Sequence, residues 1–563
     1  MLGILLFLGI NILCFVPAYL VNIKNQKSPL PFFLFSKKNF RKNIELVNWK
    51  ISSDILRVNL DFTCFFVLAY FFPNPYFIGL ASLFYVFGLL LFFYTQIMLT
   101  FFERDPVILN DITFAKTGWI LLGKYRYIYA FLALLLITSL IIGIYLIIEI
   151  CLSDTLQIQQ YKILFFTTVL AISILGFWKL SYFPLKDYKY RTAISPSLLL
   201  YISIKDSFRN NKFRKVNSIK NKNDFTKVKL TDKPNIVVVS VESLGSVIFK
   251  ESKFNSDINS LIQLKQNKLD EKGIHLASSF TKSTIYSGAS WLAFSSFLNG
   301  IEIENELEYA DVFKSSKLKN YTSFPSFLKQ NGYFNIYLSG LVAKFKYFKI
   351  DWKTLTNVTK ADHFLTYQEI NYQNKLLHFG DIKAIPDEYS LNTAYQIAKG
   401  KAPFFLFFPS LNSHYQWHSP LKSQGQWKDY DHLDFETTEI NKSFSEKKYI
   451  DSIKYQYDYL INFIQKNADD NTVFVLFGDH QPPKITPKGM NKNTALYIIS
   501  KNHGFIESFH KEGFHNSLDL KNISKTIKHE GFSSLFLKKL IEFHGKGHEH
   551  IEVLPDGIKP DKE

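Results

Sequence analysis

The feature that most restricts this chain is a set of long apolar segments confined to its first 183 residues. Crossing the hydrocarbon core of a bilayer as a helix takes about 20 mostly apolar residues. Residues 2–21 and 128–148 meet that requirement, and 163–178 approaches it. Residues 58–102 are too many for one span, and Pro73-Asn74-Pro75 divides them into a short, weaker span and a long, strong one. Five spans are therefore expected. Their length and near-absence of charge argue against buried core helices. Residues 2–21 have neither a charged leading region nor a small-residue cleavage site, so they read as an anchor rather than a removed signal.

The remainder is an ordinary polar protein. An apolar fraction of 47% beside 20% charged residues is reconciled only if the chain divides, and it does so near residue 183. The formal charge of +17 does not point to nucleic acid. There is no zinc-finger spacing and no basic run interleaved with aromatics, and a basic surface equally suits anionic lipid headgroups. Lys and Arg crowd the segments after the first and third spans, which by the positive-inside rule belong in the cytoplasm. With five spans the same rule puts the polar half there too. The cysteines are Cys14, Cys64 and Cys151, so the polar half has no disulfide and no thiolate metal site.

Residues 184–230 form a basic connector with an interfacial helix expected around 198–204. Beyond it, short apolar runs at 236–241, 333–338, 403–408, 472–477 and 495–500 alternate with helical stretches. That alternation predicts an α/β domain with a largely buried sheet. In open α/β sheets ligands gather where strands end. Glu242-Ser243 follows one run, Asn412-Ser413-His414 and then His418 another, and Gly478-Asp479-His480 a third. Oxygen donors with one imidazole suit Zn²⁺ or Mn²⁺ at a reactive site rather than a structural zinc.

The segment Thr281-Lys282-Ser283-Thr284-Ile285-Tyr286-Ser287-Gly288 follows a further expected strand. In chain order come Val241-Glu242-Ser243, Thr284-x-x-Ser287, Asn412-x-His414 and Phe477-Gly478-Asp479-His480-Gln481-Pro482. This order resembles the sulfatase-like branch of the alkaline-phosphatase superfamily, over residues 234–500. Within it, the chain is similar to the lipoteichoic acid synthase, phosphoglycerol transferase and phosphoethanolamine transferase membrane enzymes. The resemblance implies a central, mostly parallel sheet and one divalent cation, Mn²⁺ or Zn²⁺, with Mg²⁺ also admissible. It implies Glu242, Thr284, Asp479 and His480 as ligands, Thr284 as nucleophile, and His414 and Ser287 on the substrate side. His418 joins the substrate side without a counterpart in the pattern. Thr281 and Ser283 are rival nucleophiles; Thr284 is preferred because Ser287 follows it three residues on, and then glycine. The plainer alternative for this stretch is a helix start with capping hydroxyls.

Two departures narrow the reading. The chain lacks the Cys/Ser-x-Pro-x-Arg motif of true sulfatases, which argues against sulfate ester hydrolysis. Its polar half lacks the cysteines usual in phosphoethanolamine transferases and sits nearer the phosphoglycerol group. Even so, the Trp and Arg that hold glycerol phosphate there have no clear match in 343–352. The expectation is a multi-pass cell-membrane enzyme: spans in 1–183, connector 184–230, extracytoplasmic catalytic domain 231–563. It would move a phospholipid headgroup to a glycan or lipid acceptor. A hydrolase on the same fold and a membrane scaffold with a degenerate site are the rivals.

Overall fold

The computed structural model describes residues 60–101 and 126–156 apart from 73, isolated positions elsewhere up to 215, and residues 216–562 apart from 226, 315–317, 319–320, 343–350, 380–381, 416, 418–426, 432–445, 488–489, 548 and 550. The chain divides into two compact units, 1–210 and 211–563.

In the first unit, α1 (Leu60–Phe71), α2 (Pro75–Phe101) and α3 (Arg126–Leu156) are the described long elements. Asn74 accepts the Tyr76 amide at 2.9 Å and starts α2, with Pro75 at the first helical position. Among the described residues two helices are long and apolar enough to cross a membrane, over Pro75–Thr95 and Tyr127–Ile150. The twelve described residues of α1 span about 18 Å, and the residues before Leu60, where the weaker half of the expected pair begins, lie outside the described residues. Of the expected first and fifth spans only isolated positions are described; in the expected interfacial helix, residues 200, 201, 203 and 204 are helical and the others lie outside the described residues.

The second unit is built on an eight-stranded sheet. Its strands are β1 (Asn235–Val241), β2 (His275–Lys282), β3 (Phe334–Leu338), β4 (His363–Leu365), β5 (Phe404–Pro409), β6 (Thr472–Gly478), β7 (Asn493–Ser500) and β8 (Thr526–Lys528). The order across the sheet is β8-β2-β7-β6-β1-β5-β3-β4. Every neighbouring pair is parallel except the two that involve β7, so β7 alone runs against the rest. A parallel neighbour needs a crossover of a dozen or more residues, usually through a helix. The connection from β6 to β7 instead forms the loop that carries Asp479 and His480.

Along β1, Val237, Val239 and Val241 enter one apolar core and Ile236 and Val238 the other. This period of two, with both faces buried, explains the unbroken apolar run. On the first face pack α4 (Ser252–Glu271), α6 (Asp387–Lys399) and α7 (Glu446–Asn467). On the second pack α5 (Ser290–Asn299), α8 (His503–His510) and α9 (His529–His544). Phe297 of α5 is stacked between Phe477 of β6 at 3.7 Å and Phe532 of α9 at 4.1 Å, which fixes α5 against the strand that ends at the site. Residues from Val216 already belong to this fold: Val216–Ser218 pairs with Asp561–Lys562, and Lys229–Leu230 with Gly545–Lys546.

Candidate metal centre

The register of two strands builds the site. Gly478 pairs with Val241, so Asp479 and Glu242, each the next residue, leave the sheet at the same level on adjacent strands. Adjacent strands are about 4.8 Å apart, within reach of a shared ion. Pro409 pairs with Ser240, so the loop carrying Asn412, Ser413 and His414 leaves from the other side of β1. β2 runs parallel to β6 and delivers the Thr284 loop to the same end of the sheet.

Ligand atoms of Glu242, Asp479 and His480 all lie within 4.8 Å of one another, and all three residues are buried. His480 Nε2 is 3.5 Å from both Glu242 Oε1 and Asp479 Oδ2. Its Nδ1 sits 3.0 Å from the Gln481 carbonyl, so Nδ1 carries the hydrogen and Nε2 presents a lone pair to the carboxylates. Burial, and then the charge of Asp479, push the Glu242 carboxyl up to about 8. Two buried carboxyl groups and an imidazole that converge within 4.8 Å form the oxygen-and-nitrogen donor set that a divalent cation takes. The donor chemistry therefore fits a divalent metal ion.

The backbone is fixed around these ligands. Ser243 takes the left-handed conformation, φ 57°, where a non-glycine residue is uncommon. Its amide donates to Asp479 Oδ1 at 2.8 Å, and its carbonyl accepts from Tyr449 at 3.0 Å. The Glu242 amide donates to Ser410 Oγ, and the Glu242 carbonyl accepts from Ser413 Oγ at 2.6 Å. Gln456 of α7 donates to Ser410 Oγ, Ser413 Oγ and Asp387 Oδ2, and Asp387 accepts the amides of Leu411 and Asn412. This buried polar network ties Glu242 to the loop that bears His414.

Thr284 lies in the loop between β2 and α5 and is buried. Ser283 Oγ donates to the Asp479 carbonyl at 2.6 Å, the Gln481 amide donates to the Tyr286 carbonyl, and Lys492 Nζ donates to the Thr284 carbonyl at 2.7 Å. The loop is thus bonded to the segment carrying the two ligands. The hydroxyl of Thr284 itself is 3.4 Å from Ser296 Oγ and is not among the side chains bonded to Glu242, Asp479 and His480. Of the rivals, Ser283 is occupied by its bond to the Asp479 carbonyl, and Thr281 is buried within β2. Ser287 is buried in the Thr284 loop. His414 is half-buried with Nδ1 3.0 Å from the Tyr415 carbonyl. Burial lowers its pKa, against the pull of that carbonyl and of Asp479. His418 lies outside the described residues.

Ser290, absent from the sequence expectations, stands in the site. Its Oγ is 3.3 Å from Glu242 Oε2 and 3.3 Å from His480 Nε2. In sequence it reads as a helix-capping hydroxyl. The cap is instead Ala289 in the left-handed conformation, with no side-chain cap bond, so Ser290 at the first helical position is turned to the ligands.

The sulfatase family profile matches residues 234–517, half of the chain, and the protein belongs to the sulfatase family. The expectation of a sulfatase-like enzyme of the alkaline-phosphatase superfamily is met. No curated sequence matches the chain. Among solved structures it is similar to the lipoteichoic acid synthase LtaP of Listeria monocytogenes, at 16% identity over 62% of this chain and 80% of that one, TM-score 0.39. The lipooligosaccharide phosphoethanolamine transferase EptA of Neisseria meningitidis is similar at 12% identity over 97% and 98%, TM-score 0.47. The phosphoglycerol transferase GacH of Streptococcus pyogenes, in complex with sn-glycerol-1-phosphate, is similar at 16% identity over 60% and 78%, TM-score 0.35.

Proposed function

We propose that this enzyme transfers a phospholipid-derived phosphoglycerol or phosphoethanolamine headgroup to a cell-envelope glycan or lipid, through a phospho-threonine at Thr284. The observation that carries the reading is the buried Glu242–Asp479–His480 constellation, with the Thr284 loop bonded to the backbone of Asp479. Glu242, Asp479 and His480, with Thr284 Oγ1 as a fourth ligand, would hold one Mn²⁺ or Zn²⁺, which polarises phosphoryl oxygens and lowers the pKa of a hydroxyl. Thr284 Oγ1 attacks the donor phosphorus. The new O–P bond forms as the bond to the diacylglycerol oxygen breaks, and the threonine proton ends on that oxygen. In the second half an acceptor hydroxyl attacks the phospho-threonine. His414 Nε2, left free to accept by the Nδ1 contact with Tyr415, takes the acceptor's proton and passes it to the departing Thr284 Oγ1.

A lipid donor gives the apolar first unit its purpose, since a membrane-held enzyme meets its substrate at high local concentration. The reading places the protein in the cell membrane as a multi-pass protein with residues 231–563 outside the cytoplasm. The test incubates the purified full chain, with Mn²⁺ or Zn²⁺, with vesicles of phosphatidylglycerol or phosphatidylethanolamine labelled in the headgroup. Diacylglycerol release with label on an added membrane acceptor supports transfer. Label appearing only in solution supports the hydrolase, and no diacylglycerol from either lipid overturns the reading.

A further inference from the structure

We propose that Ser290 is a positioning residue of the metal centre, its hydroxyl setting the orientation in which Glu242 and His480 face the cation. The inference rests on the reading of these two residues as ligands. A serine hydroxyl has one proton to donate. Here it stands 3.3 Å from two acceptors, Glu242 Oε2 and His480 Nε2. Once a cation takes the Nε2 lone pair, Glu242 Oε2 is left as the acceptor for that proton. The other oxygen, Oε1, accepts from Ser243 Oγ at 2.9 Å. The carboxylate of Glu242 is then gripped at both oxygens by hydroxyls, one on each side, and its plane is fixed.

What makes Ser290 rigid is its helix. Phe297, two turns along α5, is stacked between Phe477 and Phe532, and Phe477 is two residues from Asp479 on β6. The hydroxyl and the Asp479–His480 pair are therefore referenced to one packed aromatic cluster. Removing partners that orient metal ligands typically costs about 10- to 100-fold in metal affinity or activity.

The experiment is titration of the metal-free full chain in detergent with Mn²⁺ alone and with Zn²⁺ alone, followed by heat of binding. Wild type, Ser290→Ala, Ser290→Thr and Glu242→Gln are compared. Ser290→Ala should weaken binding by about tenfold or more, with the unfolding temperature of the metal-free protein unchanged. Ser290→Thr keeps the hydroxyl and should escape that loss, binding the metal more tightly than Ser290→Ala. At saturating metal, Ser290→Ala should recover kcat, as a positioning residue allows and a nucleophile does not. Unchanged affinity in Ser290→Ala beside lost binding in Glu242→Gln overturns the inference while leaving the metal centre standing. Absence of binding in wild type itself overturns the metal reading instead. A covalent phosphate mapped to Ser290 overturns the positioning role.

Discussion

At the scale of single residues, Glu242 and Asp479 derive their chemistry from being forced together. Each is an acid after a strand; their pairing follows from the Gly478–Val241 register. Glu242→Gln and Asp479→Asn should each abolish metal retention while leaving the fold intact, read by metal analysis of the purified protein; stoichiometric metal in both would place the centre elsewhere. Gly478 is equally constrained. A Cβ there would fall 2.2 Å from the Leu244 carbonyl oxygen and 2.9 Å from Thr494 Cβ. Gly478→Ala should cost about 1–3 kcal/mol as overpacking and weaken metal binding, because the strand end must shift under Asp479. A wild-type unfolding temperature and metal affinity would contradict it. Sequence motifs named Glu242, Asp479 and His480, because strand ends and chemistry coincide in the text of the chain. Ser290 was illegible for a physical reason: a serine at a helix start is ordinarily a cap, and only the left-handed Ala289 shows that it is not.

At the scale of elements, five of the eight strands announced themselves as apolar runs. They are buried on both faces, and burial leaves a continuous signature. Strand direction left no such mark. β7 reads as an apolar run like β1, β5 and β6, yet it pairs antiparallel with both of its neighbours, β6 and β2, and the connection before it is the loop that carries Asp479 and His480. The network of Asp387, Gln456, Ser410 and Ser413 was also unreadable, since it joins α6, α7 and a loop distant in sequence. It makes a pH prediction. Burial pushes the Asp387 carboxyl up to about 7, against the amides of Asn412 and Leu411 and the Gln456 side chain. A carboxyl raised in the folded state favours folding while protonated, so its contribution is full below about pH 4 and is lost as pH rises through 7. Asp387→Asn cannot titrate, so the gap in unfolding temperature between wild type and variant should change in the variant's favour from pH 5 to pH 8. A constant gap would show that Asp387 is charged throughout. Phe297→Ala should destabilise the domain by about 3–5 kcal/mol as a buried aromatic loss and also weaken metal binding by loosening α5; full stability would contradict the stacking account.

At the scale of the whole molecule, the proposed function divides the labour between two units: the apolar first unit would hold the enzyme at the membrane of its lipid donor, and the sulfatase-family second unit would perform the transfer. Orientation is where loop charges and the enzyme reading disagree. The native cysteines all lie in the first unit, which allows a clean test. With Cys14, Cys64 and Cys151 replaced by Ala, the exposed Lys272→Cys should react with a membrane-impermeant maleimide in intact cells. Labelling only after permeabilisation would put the domain in the cytoplasm. The central claim, covalent transfer through Thr284, is tested most directly by mass spectrometry of the metal-loaded enzyme trapped with its lipid donor. Fragment ions should place a headgroup phosphate on Thr284, and Thr284→Ala should form no adduct while Thr284→Ser forms some. An adduct on Thr281 or Ser283, or turnover with no adduct at all, would contradict it.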